Sequence, residues 1–281
     1  MVNFIKRSLA CFVTTLLLIN GLSAAPSKTG KNVCRSFTDD FNTNSIVEGD
    51  KYNNNPSSAN WINLAGSRKS YEVKGGQLYA SLLKPNNMNR QKGPDGPFNK
   101  NLASGVSLNS TRKMHYGRVS ARMKINGVGG CVTAFITMSD NGDEIDWEIV
   151  GKDVKHAQSN YFFDGIIEYG VHGGIHPVSP AFTDVFHIYT IDWQPEFINW
   201  EIDGKVVRTL KKSDTLKNGR FEFPNHPSYI QFGIWDGSGA SGTAQWSNGP
   251  INWNDKNLNK LTSIVDFIKI ECNPEYNKVI N

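Results

Sequence analysis

Apolar and polar residues alternate with a period of two along most of this chain, the pattern of strands that send successive side chains to opposite faces. The alternation is clean in Tyr116–Lys124, in Asp143–Val150, in Ala157–Phe163 and in Phe186–Trp193. A more continuous apolar run, Val132–Met138, follows Cys131, and Tyr229–Trp235 and Ile264–Cys272 complete the long strands. Turn chemistry joins others into hairpins: Tyr71–Leu83 turns at Gly75-Gly76, and Asn199–Asp203 meets Lys205–Leu210 over Asp203-Gly204. Phe37–Phe41 reads as the first strand, and the Asn- and Ser-rich stretch Asn42–Asn63 as a long loop containing Trp61. No long stretch carries a helical period, so the expected fold class is all-β.

Composition adds one domain and one leader. Met1–Ala25 has a basic start at Lys6 and Arg7, an apolar run Leu9–Ile19 too short to span a membrane, and the small residues Ser23-Ala24-Ala25, the pattern of a secretory signal peptide. Removing 25 of 281 residues leaves 256, a length suited to a single β domain over 26–281. It also removes two positive charges and no acids, so the formal charge falls from +4 to +2. A charge that small argues against a nucleic-acid partner, which needs a basic stripe.

The stretch with chemistry in it is Asp143-Glu144-Ile145-Asp146-Trp147-Glu148-Ile149-Val150. On a strand, Glu144, Asp146 and Glu148 share one face, and Ile145, Trp147 and Ile149 share the other, core-facing one. Carboxylates this close repel, which raises at least one pKa. A strand needing only stability would mix Lys, Thr and Ser among its acids. The pattern fits glycosidic bond cleavage, in which one carboxylate attacks the anomeric carbon and another protonates the leaving oxygen. A retaining mechanism needs the two carboxyl groups about 5–5.5 Å apart, whereas residues i and i+4 of a flat strand lie roughly 13 Å apart at Cα. Inward-leaning side chains on a bent strand close the gap, so the motif implies a curved sheet with the acids on its concave side. Asp146, between the two Glu, is placed to hydrogen-bond the nucleophile.

Glu144-Ile145-Asp146-Trp147-Glu148 resembles the signature of glycoside hydrolase family 16, and the similarity runs from about Phe37 to Glu271. Within the family the chain is most similar to fungal Crh-type cell-wall transglycosylases, and less so to bacterial lichenase-type glucanases. The resemblance implies a curved antiparallel β-sandwich of jelly-roll, concanavalin-like type with a cleft across the concave sheet. It implies Glu144 as nucleophile, Glu148 as general acid/base and Asp146 as assistant, with chitin chains transferred to β-glucan or chitin acceptors. A hydrolytic endo-β-1,3(4)-glucanase would use the same acids, and an inactive carbohydrate-binding lectin could share the architecture. No cofactor is implied, and no metal-ligand cluster stands out.

By family position Asn160 and Phe162 contact the sugar beside the cleaved bond, and Gln158 joins them by period two. Trp235 and Trp246 fall where the family keeps two aromatic platforms, and sugar C–H faces stack on such rings. Trp193 fits the cleft or the core and is carried as a candidate subsite residue. His187 either reaches the acid face or is structural, and Trp200 is expected in the core. The first and last strands of a jelly roll lie together, which pairs Cys34 with Cys272 and leaves Cys131 a buried free thiol. Asn109-Ser110-Thr111 is the N-glycosylation sequon. The polar end Pro274–Asn281 carries no signal for a GPI anchor. The expectation is a secreted, monomeric wall protein with polysaccharide partners and no membrane anchor.

Overall fold

The computed structural model describes residues 31–281, so the signal-peptide expectation for 1–25 lies outside the described residues. Two antiparallel sheets stack face to face. The first contains, in spatial order, Gly174–Pro177, His156–Phe162, Glu144–Val150, Cys131–Ser139, Ser228–Asp236, Val106–Met114, Trp61–Gly66 and Ile46–Glu48. The second runs Lys205–Lys211, Phe197–Ile202, His187–Trp193, Gly117–Lys124, Lys260–Cys272, Gln77–Leu83 and Tyr71–Lys74, with Phe37–Asp39 also paired to Lys260–Cys272. This is the curved jelly-roll sandwich expected, with the acid strand on its concave sheet.

The core lies between the inner faces. Ile145, Trp147 and Ile149 enter it from the acid strand, Phe135 from one neighbour, and Ile230, Phe232 and Ile234 from Ser228–Asp236. The second sheet contributes Val119, Ala121, Tyr189, Ile191, Trp193, Trp200, Val265 and Ile268. These residues follow the period of two along their strands, except that a bulge between Val265 and Ile268 shifts the phase of Lys260–Cys272, and this is why the alternation was readable. Both predicted hairpins form, at Gly75-Gly76 and at Asp203-Gly204, with positive φ at all four turn residues.

Three local expectations change. Asn42–Asn63 is not one loop: Ile46–Glu48 pairs in parallel with the start of Trp61–Gly66, and Trp61 is fully buried, its Nε1 donating to Asp39 at 2.8 Å. That strand, three residues long, is too short to show a period of its own. Cys272 does not end the last strand of the molecule, because Asn277–Ile280 follows and pairs in parallel with Asn32–Arg35. Cys34 sits in the latter segment and is bonded to Cys272 across 238 residues of sequence, while Cys131 is free and buried. The Gly/Ser stretch after Trp235 leads into a short helix, Ser241–Trp246.

Candidate active site

The acid strand is clamped at its start and along its back. Asp143, 1% exposed, accepts from the main-chain N–H groups of Asp164, Asn225 and His226 and lies 2.8 Å from the His226 ring Nδ1. Trp147 Nε1 donates to the Thr190 carbonyl at 2.9 Å, and Trp200 Nε1 donates to the Asp146 carbonyl at 2.9 Å. Arg208 stacks on Trp200, 4.4 Å from its ring centroid, and donates to Ser159 and to the His172 carbonyl. The acid strand and the second sheet are therefore tied by two indole donors, one from each side.

On the open face, register decides the neighbours. Glu144 stands opposite Phe162 and Met138, Asp146 opposite Asn160 and Ile136, and Glu148 opposite Gln158 and Ala134. The three predicted acids thus share one face with Gln158, Asn160 and Phe162, as expected. Asp146 is 2% exposed and both Glu are half-buried. Loss of hydration pushes the Glu144 carboxyl up to about 7, an effect that a hydrogen bond from Asp146 opposes. Burial, then the charge of Glu144, pushes Glu148 up to about 8. Asp146 rises well above the ordinary carboxylate range, first through burial, then through the charges of Glu144 and Glu148 and its hydrogen bond with Glu144; the Arg208 guanidinium opposes this. Burial raises all three, and mutual repulsion adds to it at Asp146 and Glu148, so the face resists carrying three charges at once.

Trp235 and Trp246 meet at the Glu148 end of the face. Their rings stack with centroids 5.9 Å apart and an interplanar angle of 18°, and Trp246 Nε1 donates to Gln158 Oε1 at 3.0 Å. The short helix carries Trp246 over the sheet from the Trp235 side to the Gln158 side. The two rings therefore act as one wall, not as two separate platforms, because each covers a face of the other.

Three predicted site residues, Trp193, Phe162 and Asn109, are buried. Trp193 is fully buried, with Nε1 donating to the Pro224 carbonyl at 3.0 Å. It belongs to the second sheet, where the period of Tyr189, Ile191 and Trp193 points inward to the core. Phe162 is on the acid face but only 4% exposed, so it packs beside Glu144 and offers no open ring. Asn109 lies in the middle of Val106–Met114, paired on both sides and 7% exposed, which is not the surface loop that glycan attachment requires. His187 is structural: it is 2% exposed, its Nδ1 2.6 Å from Asp203 and its Nε2 2.9 Å from the Pro180 carbonyl. Trp200 is in the core.

Sequence reasoning missed Gln231, Gly233 and Tyr229, which continue the acid face across Ser228–Asp236. The signal was available, since Ile230, Phe232 and Ile234 alternate with them as core residues. Among the described residues no cluster of three or more His, Cys, Asp or Glu is arranged to hold a metal ion, and no helix is long and apolar enough to cross a membrane.

Residues 58–255 match the model of the family described as glycosyl hydrolases family 16. The chain belongs to that family. It is 42% identical over 174 residues to Crh-like protein UTR2 of Candida albicans, covering 60% of this chain and 37% of that protein. It is 33% identical over 240 residues to Crh-like protein 2 of Aspergillus fumigatus, covering 83% of this chain and 49% of that protein. The chain thus spans half or less of the length of these relatives. Among solved structures it resembles a Crh5 transglycosylase in complex with NAG, with a TM-score of 0.68, 27% identity and 89% of each chain covered. A Bacillus licheniformis β-glucanase, at 21% identity and a TM-score of 0.62, shares the fold.

Proposed function

We propose that this family 16 chain is a retaining transglycosylase of wall polysaccharide, carried on a single catalytic domain over 26–281 and exported by the leader over 1–25. The observation that carries the reading is the set of three carboxyls on one concave face, with Asp146 hydrogen-bonded to Glu144 and Glu148 pushed up to about 8. A carboxylate beside a retained acid is what double displacement requires. Glu144 attacks the anomeric carbon of the donor as the glycosidic C–O bond breaks, and the leaving oxygen takes the proton of Glu148. Asp146 donates a hydrogen bond to Glu144, orients it and lowers its proton affinity. In the second step the Glu148 carboxylate takes the proton of an acceptor hydroxyl. The acceptor oxygen bonds to the anomeric carbon and Glu144 leaves.

The donor in this reading is a chitin chain, and the acceptor is β-glucan or chitin. Similarity to proteins named Crh-like and to a Crh5 transglycosylase supports transfer over hydrolysis. Transfer also needs an acceptor held at high effective concentration near the intermediate. The wall of Trp235 and Trp246 beside Glu148 supports this, because it shields the acid/base end of the cleft. The test is to incubate the protein with chitin oligosaccharides and labelled β-glucan oligosaccharides and to size the products. Labelled hybrid chains that grow with acceptor concentration are expected. Products that only shorten, with reducing ends rising in step at every acceptor concentration, would overturn transfer.

A further inference from the structure

Arg208 stands directly opposite Trp200 on the last two strands of the second sheet, so both side chains take the inner side. The register shifts beside this pair and leaves Val207 unpaired, the kind of bulge that re-aims a side chain near an active site. The guanidinium lies 4.4 Å from the Trp200 ring centroid and 5.9 Å from that of Tyr161. Its Nη1 donates to the Ser159 carbonyl at 3.2 Å and to Ser159 Oγ at 2.8 Å, and its Nη2 donates to the His172 carbonyl at 2.8 Å. Every one of these acceptors is neutral. Among the described residues Arg208 makes no ion pair, and neither do Glu144, Asp146 and Glu148.

Packing alone does not explain a cation here. Its strand neighbours Val207 and Leu210 fill the same edge of the core with apolar side chains. Burial makes the guanidinium charge harder to hold, and the Tyr161 and Asp146 side chains oppose that effect. The route to Asp146 is short. Ser159 pairs with Trp147 on the acid strand, and Trp200 Nε1 donates to the Asp146 carbonyl at 2.9 Å. The guanidinium therefore sits behind Asp146 while the carboxyls stand in front, and charges separated by protein interact more strongly than charges separated by water. Burial and the neighbouring carboxyls drive Asp146 up, and Arg208 is the cation that opposes them.

The other titratable groups facing Arg208 do not compete for its charge. Burial raises the Tyr161 phenol, which stays neutral. Burial, then the charge of Arg208, lowers His176 below 6.5, so its ring is neutral near pH 7; because Arg208 donates to Ser159 Oγ, the hydroxyl proton is free to bond His176 Nε2 at 2.8 Å. Glu168 is already paired with His172 and Lys217.

We propose that Arg208 is a positioning residue for the catalytic acids: it holds Asp146 from behind through Trp200 and Ser159, and its charge offsets part of the repulsion among the three carboxyls. It touches no substrate. This rests on the reading of the three carboxyls as the catalytic group and goes further, since it names what keeps their repulsion in bounds.

The test is the pH profile of kcat/KM for Arg208→Gln, measured with chitin oligosaccharides as donors and β-glucan oligosaccharides as acceptors. Glutamine keeps a donor for the Ser159 and His172 carbonyls and removes the charge. The acid limb is expected to move up by roughly half a pH unit to one pH unit, the size of one charge acting across a layer of protein. Arg208→Lys is the second variant. Its ammonium is more strongly hydrated and cannot lie flat on Trp200, so it withdraws toward solvent and moves the limb in the same direction by less. A residue that only packs would lower kcat and the unfolding midpoint and leave the limb in place, so an unmoved limb in whichever variant is folded overturns the proposal. A second readout needs no activity. Removing the charge raises the folded-state pKa values further, so the fall of the unfolding midpoint from pH 5 to pH 9 should be larger in Arg208→Gln than in the parent. An equal or smaller fall overturns the proposal as well. Absence of turnover in the parent would count against the catalytic reading instead, and the comparison of midpoints would still decide the role of Arg208.

Discussion

The indole N–H of Trp200 donates to the main-chain carbonyl of Asp146 at 2.9 Å, so the central residue of the acid triplet is held from behind by the opposite sheet. Trp200 is fully buried and carries Arg208 on its ring. The position of the three carboxyls therefore depends on a residue that cannot touch substrate.

Trp200→Phe keeps most of the packing and removes the donor. The Asp146 carbonyl then loses that hydrogen bond, worth about 0.5–1.5 kcal/mol. The expected result is a lower unfolding midpoint together with a fall in kcat larger than any rise in KM. Steady-state kinetics beside thermal unfolding measures both, and an unchanged kcat would show that the clamp does not position the acids.

Glu144→Gln and Glu148→Gln should each reduce turnover by about 10²-fold or more. Sequence reading alone places these groups facing solvent and foresees little change in stability. Their burial alters that expectation, since glutamine removes a poorly hydrated charge. Both variants should therefore unfold at the parent's midpoint or above it at pH 8. Near-normal turnover in either would sink the assignment of roles.

The pH dependence has two parts with one cause. Activity needs Glu144 charged and Glu148 protonated, so kcat/KM of the wild type should be bell-shaped, with its acid limb well above the ordinary Glu value of 4.5 and its alkaline limb near 8. Stability should fall as pH rises. Folded-state pKa values raised above 4.5 mean that the folded chain binds these protons more tightly than the unfolded chain. The stabilisation is complete below about 4.5 and is lost as pH climbs through about 7 and about 8. Unfolding midpoints from pH 5 to 9 check the direction, and Glu148→Gln should flatten the slope. A midpoint that rises over this range would contradict the burial of the acids.

Trp246→Ala deletes half of the stacked pair and the bond to Gln158, which stands opposite Glu148. Opening that end of the cleft to water should shift products from hybrid chains toward shortened ones by severalfold, while total donor consumption changes less. Product sizing at fixed acceptor concentration tests it. An unchanged ratio would mean that the wall plays no part in partitioning the intermediate.

The long strands, the acid face and the family resemblance were legible in the sequence, whereas the short strands Ile46–Glu48 and Asn277–Ile280 were not. Period-two alternation is a local property, and Glu144, Asp146 and Glu148 needed nothing beyond their own strand to be placed on one side of it. The same alternation put Gln158, Asn160 and Phe162 on a common face, and register confirmed them beside the acids. Alternation cannot say which sheet a strand joins. Trp193 fitted the cleft or the core equally well by pattern, yet its strand packs in the second sheet with the tryptophan inward, whereas the strand of Trp235 continues the acid face. Nor does local pattern contain register between distant strands, which brought Asn109 opposite Gln231 and turned a sequon into part of the cleft floor. The carboxyl pKa values were decided by tertiary structure for the same reason. They depend on how much water the neighbouring strands and the opposite sheet exclude, and that burial comes from residues far away in the chain.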